Sequence, residues 1–236
     1  MLADSRLPAG GHAHSGGLEA AVTAGVVTGL ADLAVFLRAR LHTAGLVAAA
    51  IAAAACRLKS TPGGVQPTPE SGRGTTAAAE WSTLDAEVDA RMPSPAGREA
   101  SRHQGRALLR AARVAWPSPV LDLLAATSPN DRPGPHHPVV LGASGAAAGC
   151  DSAGVARVAA YLAVSGPAGA AVRLRGLDPL AVHGLLARLA PEIEDVAGRA
   201  ARAAGQPFRE LPSPASPRLD LLAEAHIRTE ARLFVS

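Results

Sequence analysis

Residues 31–58, ADLAVFLRARLHTAGLVAAAIAAAACRL, decide the fold class. Leu33, Phe36, Leu37 and Leu41 recur every three or four residues, which places them on one helical face. The alanine run that follows has the highest helix propensity available. Nothing elsewhere in the chain alternates apolar and polar residues as a half-buried strand does. On the N-terminal side, Ser15 ahead of Gly16-Gly17-Leu18 can cap a first helix. On the C-terminal side, Trp81, Leu84 and Val88 space a helix over 76–91, stopped by Pro93 and Pro95. Ser94-Pro95 opens the next, 96–115, and Asp178-Pro179 another, each with a cap followed by proline. Pro191 is expected to kink or divide the latter. Residues 139–165, rich in Gly and Ala, read as one helix built for close packing. Ser216-Pro217 starts a last helix with Leu219, Leu222, His226 and Leu233 near one face. The expected fold is all-α, a single-domain bundle of about eight or more helices over 1–236. A flexible Pro/Gly/Ser/Thr insertion is expected at 60–75, and a loop at 128–138.

Composition agrees with one globular domain: 236 residues, 48% hydrophobic and 18% charged. Aromatics are 3%, so Ala, Leu and Val must build the core. The 24 glycines and 19 prolines cluster between apolar segments, which excludes collagen and wholesale disorder. A net charge of +3 bears on solubility and not on fold. With few stacking aromatics and no recognition motif, no nucleic-acid partner is expected. Leu41–Cys56, the longest charge-free apolar stretch, is short for a membrane span, and no signal-peptide pattern opens the chain. Cys56 and Cys150 are isolated, as suits a reducing compartment. These features predict a cytoplasmic protein without a membrane partner.

Few residues point to chemistry. His12 and His14 form a partial metal site with no third ligand to complete it. The glycine pairs at 10–11 and 16–17 match no phosphate-binding spacing and follow no strand. Ser15 beside His14 lacks the carboxylate and oxyanion hole of a triad. Glu192, Glu194 and Asp195 follow Pro191, where a helix dipole would account for them. His136 and His137 are expected to be exposed in their Pro-rich loop, and His42, His103, His183 and His226 to be structural or solvent-facing. Arg98, Arg102, Arg106, Arg110 and Arg113 fan over about a third of one helix. They form either a basic strip for an acidic partner or a solvated face paired with acidic neighbours.

Four ordered segments carry a resemblance: residues 4–19 (DSRLPAGGHAHSGGLE), 99–110 (EASRHQGRALLR), 138–142 (PVVLG), and Leu219-Asp220 through His226 to Arg232-Leu233-Phe234-Val235-Ser236. Together they resemble the urease accessory protein UreF family. The resemblance implies an all-α, homodimeric and non-catalytic subunit. It would dock on UreD (also called UreH), recruit the GTPase UreG, and serve GTP-dependent nickel insertion into apo-urease. Nickel and GTP would be handled by the complex, with no cofactor bound by this chain itself. Carried over by position, His14, Ser15, Gly16, Gly17 and Glu19 at one end, and Arg232, Leu233, Phe234 and Ser236 at the other, become partner-binding candidates. The alternative role for Leu233 and Phe234 is to pin the last helix to its own core. The alternative function is a stand-alone helical metal-binding or scaffold protein that has lost the urease role. Two features depart from the family pattern: a start close to the signature, and the 60–75 insertion.

Overall fold

A computed structural model describes residues 2–3, 14–60, 77–126, 134–227 and 233–234. Among them every regular element is helical. In chain order they are α1 (Leu18–Thr23), α2 (Leu30–Arg40), α3 (Leu46–Ser60), α4 (Ala77–Arg91), α5 (Pro95–Ala115), α6 (Pro119–Ala126), α7 (His137–Ala147), α8 (Ser152–Arg175), α9 (Pro179–Ala203) and α10 (Pro217–Ile227). A π-helical segment, Leu41–Gly45, joins α2 to α3, and a 3-10 turn, Phe208–Glu210, lies between α9 and α10. The insertion at 61–75 lies outside the described residues, and Ser60 ends α3.

The bundle is built around α3. Every residue from Ala49 to Cys56 is buried, and α7, α8 and α9 all pack on this one helix. A helix buried all round must be apolar all round, and alanine is the side chain that lets several neighbours approach at once. Closest is α7: a Cβ at Gly142 would overlap the Ala52 carbonyl oxygen and the Ala55 methyl group. Leucines at the surrounding positions, among them Leu33, Leu37, Leu84, Leu121 and Leu189, fill the wider gaps. By length and composition the Leu30–Leu58 helix and α8 could each cross a membrane; in this fold they form core helices, with 61% and 50% of their most apolar windows buried.

Three expectations from sequence need correction. The helix expected over 31–58 is continuous but widens to a π turn at Leu41–Gly45, where Gly45 meets α8: a Cβ there would stand 3.1 Å from that of Ala163. The helix expected over 139–165 is two helices. Gly149 turns left-handed at φ 82°, the Cys150 amide donates back to Gly145, and the Asp151 carboxylate caps α8 through the Gly154 amide at 2.7 Å. Pro191 does not divide its helix, since α9 runs unbroken from Pro179 to Ala203. The buried stripe Leu185, Leu189, Ile193 and Val196 on both sides of the proline outweighs one lost backbone bond. Glu192, Glu194 and Asp195 therefore sit mid-helix, and ion pairing accounts for them better than the dipole. Glu192 meets Arg38 at 2.9 Å and His42 at 3.0 Å, Glu194 meets Arg157 at 2.8 Å, and Asp195 lies 3.8 Å from Arg199.

Gly142→Ala is expected to destabilise the fold by about 1–3 kcal/mol, because the added methyl meets backbone that cannot yield. Gly169→Ala, on an open face of α8 with nothing within 4 Å, should instead gain up to about 1 kcal/mol of helix propensity. Urea unfolding of the two variants gives the signs directly.

Candidate functional site

The two ends singled out from sequence meet at one carboxylate. Glu19 lies in α1, where its amide donates to the Ser15 hydroxyl at 3.2 Å. Ser15 thus serves the helix start as expected, although Gly17 at φ 87° occupies the cap position itself. The buried Glu19 carboxylate accepts the backbone N–H of Leu233 at 2.6 Å and of Phe234 at 2.9 Å. His226 of α10 donates from Nε2 to the Phe234 carbonyl at 3.2 Å and lies 3.7 Å from the same carboxylate. Arg173 of α8 stacks its guanidinium 4.5 Å from the Phe234 ring centroid. One acidic side chain, one histidine and one cation hold the tail against the signature. The two readings of the tail separate here: Phe234 is buried and pins the chain, whereas Leu233 is 64% exposed. Arg232, Ser236 and His12 lie outside the described residues. Sequence reasoning missed Arg173, which no local pattern marks.

Two clefts of about 710 Å³ each flank this junction. One opens between the start of α5 and α10, the other between α7, α8 and α9, and they share Gly16, Arg40, Gln104 and His137. Gly16 takes φ 63°, and a Cβ there would stand 3.0 Å from Pro167 and 3.1 Å from the Arg40 guanidinium, so glycine fits both the turn and the space. Arg40 donates from Nε to the Ala163 carbonyl at 3.0 Å, and burial pushes its guanidinium down to about 10. Burial also pushes the His137 imidazole down to about 4, so it is neutral near pH 7.

The arginines of α5 have different surroundings. Arg102 is locked inside the fold, donating to Asp85 at 2.9 Å, Asp89 at 2.6 Å and the Gly134 carbonyl at 2.7 Å. Arg98 donates to the carbonyls of Met92 and Pro93 beyond α4, and Arg113 pairs with Asp122 at 2.8 Å on the surface. Arg106 is half-buried with its stem against Gly134, and Arg110 is exposed. His136, expected to be exposed, is instead fully buried, between Ser101 at 3.0 Å and Asp89 at 2.9 Å. Burial holds it below its usual titration range against the opposing pull of Asp85 and Asp89. Gly105 makes this possible: a Cβ there would run into the Pro135 carbonyl. The ring of His14, itself buried, lies 5.8 Å from that of His103. Among the described residues no group of three or more His, Cys, Asp or Glu is placed to hold a metal ion.

The profile of the UreF family matches residues 27–190. Proteins named urease accessory protein UreF are similar over the whole chain: that of Mycolicibacterium vanbaalenii is 42% identical over 236 residues, and that of Mycobacterium sp. strain JLS is 45% identical over the same length. The Mycobacterium marinum protein of that name is 41% identical over 235 residues. In each case all of this chain and 96% of the relative are covered.

Removing the Glu19 charge should free the tail. In Glu19→Gln the amides of Leu233 and Phe234 lose their charged acceptor, and their hydrogen-exchange protection should fall at least tenfold while that of α3 is kept. Acidification should weaken the fold by a separate route. The folded imidazoles of His136 and His137 titrate below the 6.5 of the free group, so from about pH 6.5 down to about pH 4 the unfolded chain binds protons that the folded chain refuses. Stability is present above that window and lost as pH falls through it, by at most about 1.4 kcal/mol per pH unit for each imidazole. His137→Gln should remove its share of the slope in unfolding free energies measured between about pH 7 and about pH 4.

Proposed function

The chain belongs to the urease accessory protein UreF family, and on that premise we propose that it is a non-catalytic cytoplasmic coupling subunit, acting as a homodimer, that joins UreD/UreH, the GTPase UreG and apo-urease for GTP-dependent nickel insertion. Nickel is the cargo of the assembly and GTP its fuel, and this chain contributes surfaces, not a reacting group.

The observation that carries this reading is the convergence at Glu19. Residues 214 and 215 positions apart in sequence are joined there by short hydrogen bonds. The backbone of Leu233 is fixed while its side chain stands in solvent. An apolar side chain on an ordered backbone loses little entropy when a partner covers it, which favours affinity. The anchor that orders it, Phe234 under Arg173, is itself buried. On the same C-terminal unit, Leu221 and Ile227 of α10 are also exposed, at 71% and 48%. Isolated exposed apolar residues are ordinary; three on one terminal unit suit a docking surface.

Co-purification of the full chain with UreD/UreH and UreG of its own host, weighed by light scattering, tests the proposal. A defined complex is expected. Leu233→Asp should weaken it at least tenfold while leaving the unfolding free energy within about 0.5 kcal/mol of the parent, because the side chain is exposed. Failure of the intact chain to assemble at both low and high salt would overturn the coupling role.

A further inference from the structure

Arg40 closes α2 immediately before the π segment, at the place where the two clefts meet. Its Nε–H is used by the Ala163 carbonyl, and Gly16 lies against Cζ and Nη2, so the guanidinium is held in place. No carboxylate among the described residues pairs with it, although Arg38, two positions earlier, is matched by Glu192. Among the described residues no acceptor meets the four N–H groups on its terminal nitrogens, which border the cleft. Among the described arginines, only Arg40 borders both clefts.

The cleft between α7, α8 and α9 has a one-sided lining. It carries Arg40 and Arg173 and, among the described residues, no aspartate or glutamate. Ala44, Ala48, Leu141, Leu162, Val172 and Leu186 supply apolar wall. A cation in such a setting without a counter-charge is costly to maintain, and low-dielectric walls strengthen the pull on an anion. Burial lowers the Arg40 pKa, and no carboxylate among the described residues opposes that shift. A planar guanidinium with free terminal nitrogens matches the two oxygens of a carboxylate.

We propose that Arg40 anchors a carboxylate-recognition site, filled by an aspartate or glutamate side chain that a partner protein presents on an apolar segment. The charged group meets the guanidinium and its aliphatic flanks meet the alanine and leucine wall. A cleft of about 710 Å³ has room for a few side chains. The inference rests on the docking role proposed above and adds the chemistry by which one of its contacts is chosen.

The test uses the full chain labelled with 15N-arginine, with the Arg40 Nε resonance assigned by its loss in Arg40→Lys. The probes are the capped tripeptides acetyl-Leu-Glu-Leu-amide and acetyl-Leu-Gln-Leu-amide, and inorganic phosphate. The expected result is a saturable shift of the Arg40 resonance with the glutamate peptide and none with the glutamine peptide. Backbone amide shifts at Ala163 and Gly16, read from uniformly 15N-labelled chain so that they report in every variant, should move with the glutamate peptide in the parent and stay still in Arg40→Gln. Equal response to both peptides, or no response, overturns the site. A response to phosphate alone also overturns it, since it would mark a site for free oxyanions and not for a docked side chain. Assembly with UreD/UreH and UreG, run in parallel, separates the two proposals. A chain that binds the glutamate peptide but forms no complex keeps this site and loses the coupling role. A complex that forms in the absence of any peptide response keeps the coupling role and loses this site.

Discussion

The alanine core of α3 sets the terms for everything around it. Eight consecutive buried residues, none larger than isoleucine, let α7, α8 and α9 pack directly on one helix. The approach is close enough that α7 must carry glycine at 142. In a chain with so few aromatic residues, tight backbone approach does what large side chains do in other cores. Dispersion between close-packed small groups replaces the area that Phe and Trp would bury. That arrangement also constrains the outer helices. The chain leaves regular α-helix at the π turn Leu41–Gly45, where Gly45 meets α8, and at Gly149, which turns left-handed between α7 and α8.

Around that core, polar side chains fix the elements that helix packing alone leaves loose. The His136–Asp89–Arg102–Asp85 group ties α4 and α5 to the start of α7. Arg91, itself buried, donates to the carbonyls of Phe208, Leu211 and Pro212, and so binds the stretch after α9 to the end of α4. Glu224 of α10 accepts from the Ser94 hydroxyl and the Ala96 amide at the start of α5. Each of these groups is satisfied by several partners, as a buried charge requires. Glu19 follows the same pattern at the chain ends. The difference is that its partners belong to a terminal segment whose next side chain faces solvent.

This arrangement suits a protein that works through surfaces. Family membership supplies the context of urease maturation, and the two contacts proposed above differ in chemistry: an apolar side chain at Leu233, and a cation, Arg40, bordering two clefts. They are adjacent through Gly16 and Arg173, so one partner segment could read both. Arginines grouped together in the sequence have separate fates, with Arg102 paired inside the fold and Arg113 paired at the surface.

The sequence by itself determined the helical class, most helix starts and the family. Ser94-Pro95, Asp178-Pro179 and Ser216-Pro217 lie where the helices begin, because cap and proline chemistry is local. The signature and tail were legible as candidates because their order along the chain is a property of the chain. Only the tertiary structure decided that Glu19 and Phe234 touch, that His136 is buried, that Arg102 is paired with carboxylates while Arg40 borders a cleft, and that Pro191 is tolerated. Each of these depends on groups far apart in sequence: Asp89 for His136, Ala163 and Gly16 for Arg40, and the packed stripe of α9 for Pro191. Local propensity is fixed by neighbours in the chain, whereas burial and charge pairing are fixed by neighbours in space, and those exist only once α3 has gathered the other helices around it.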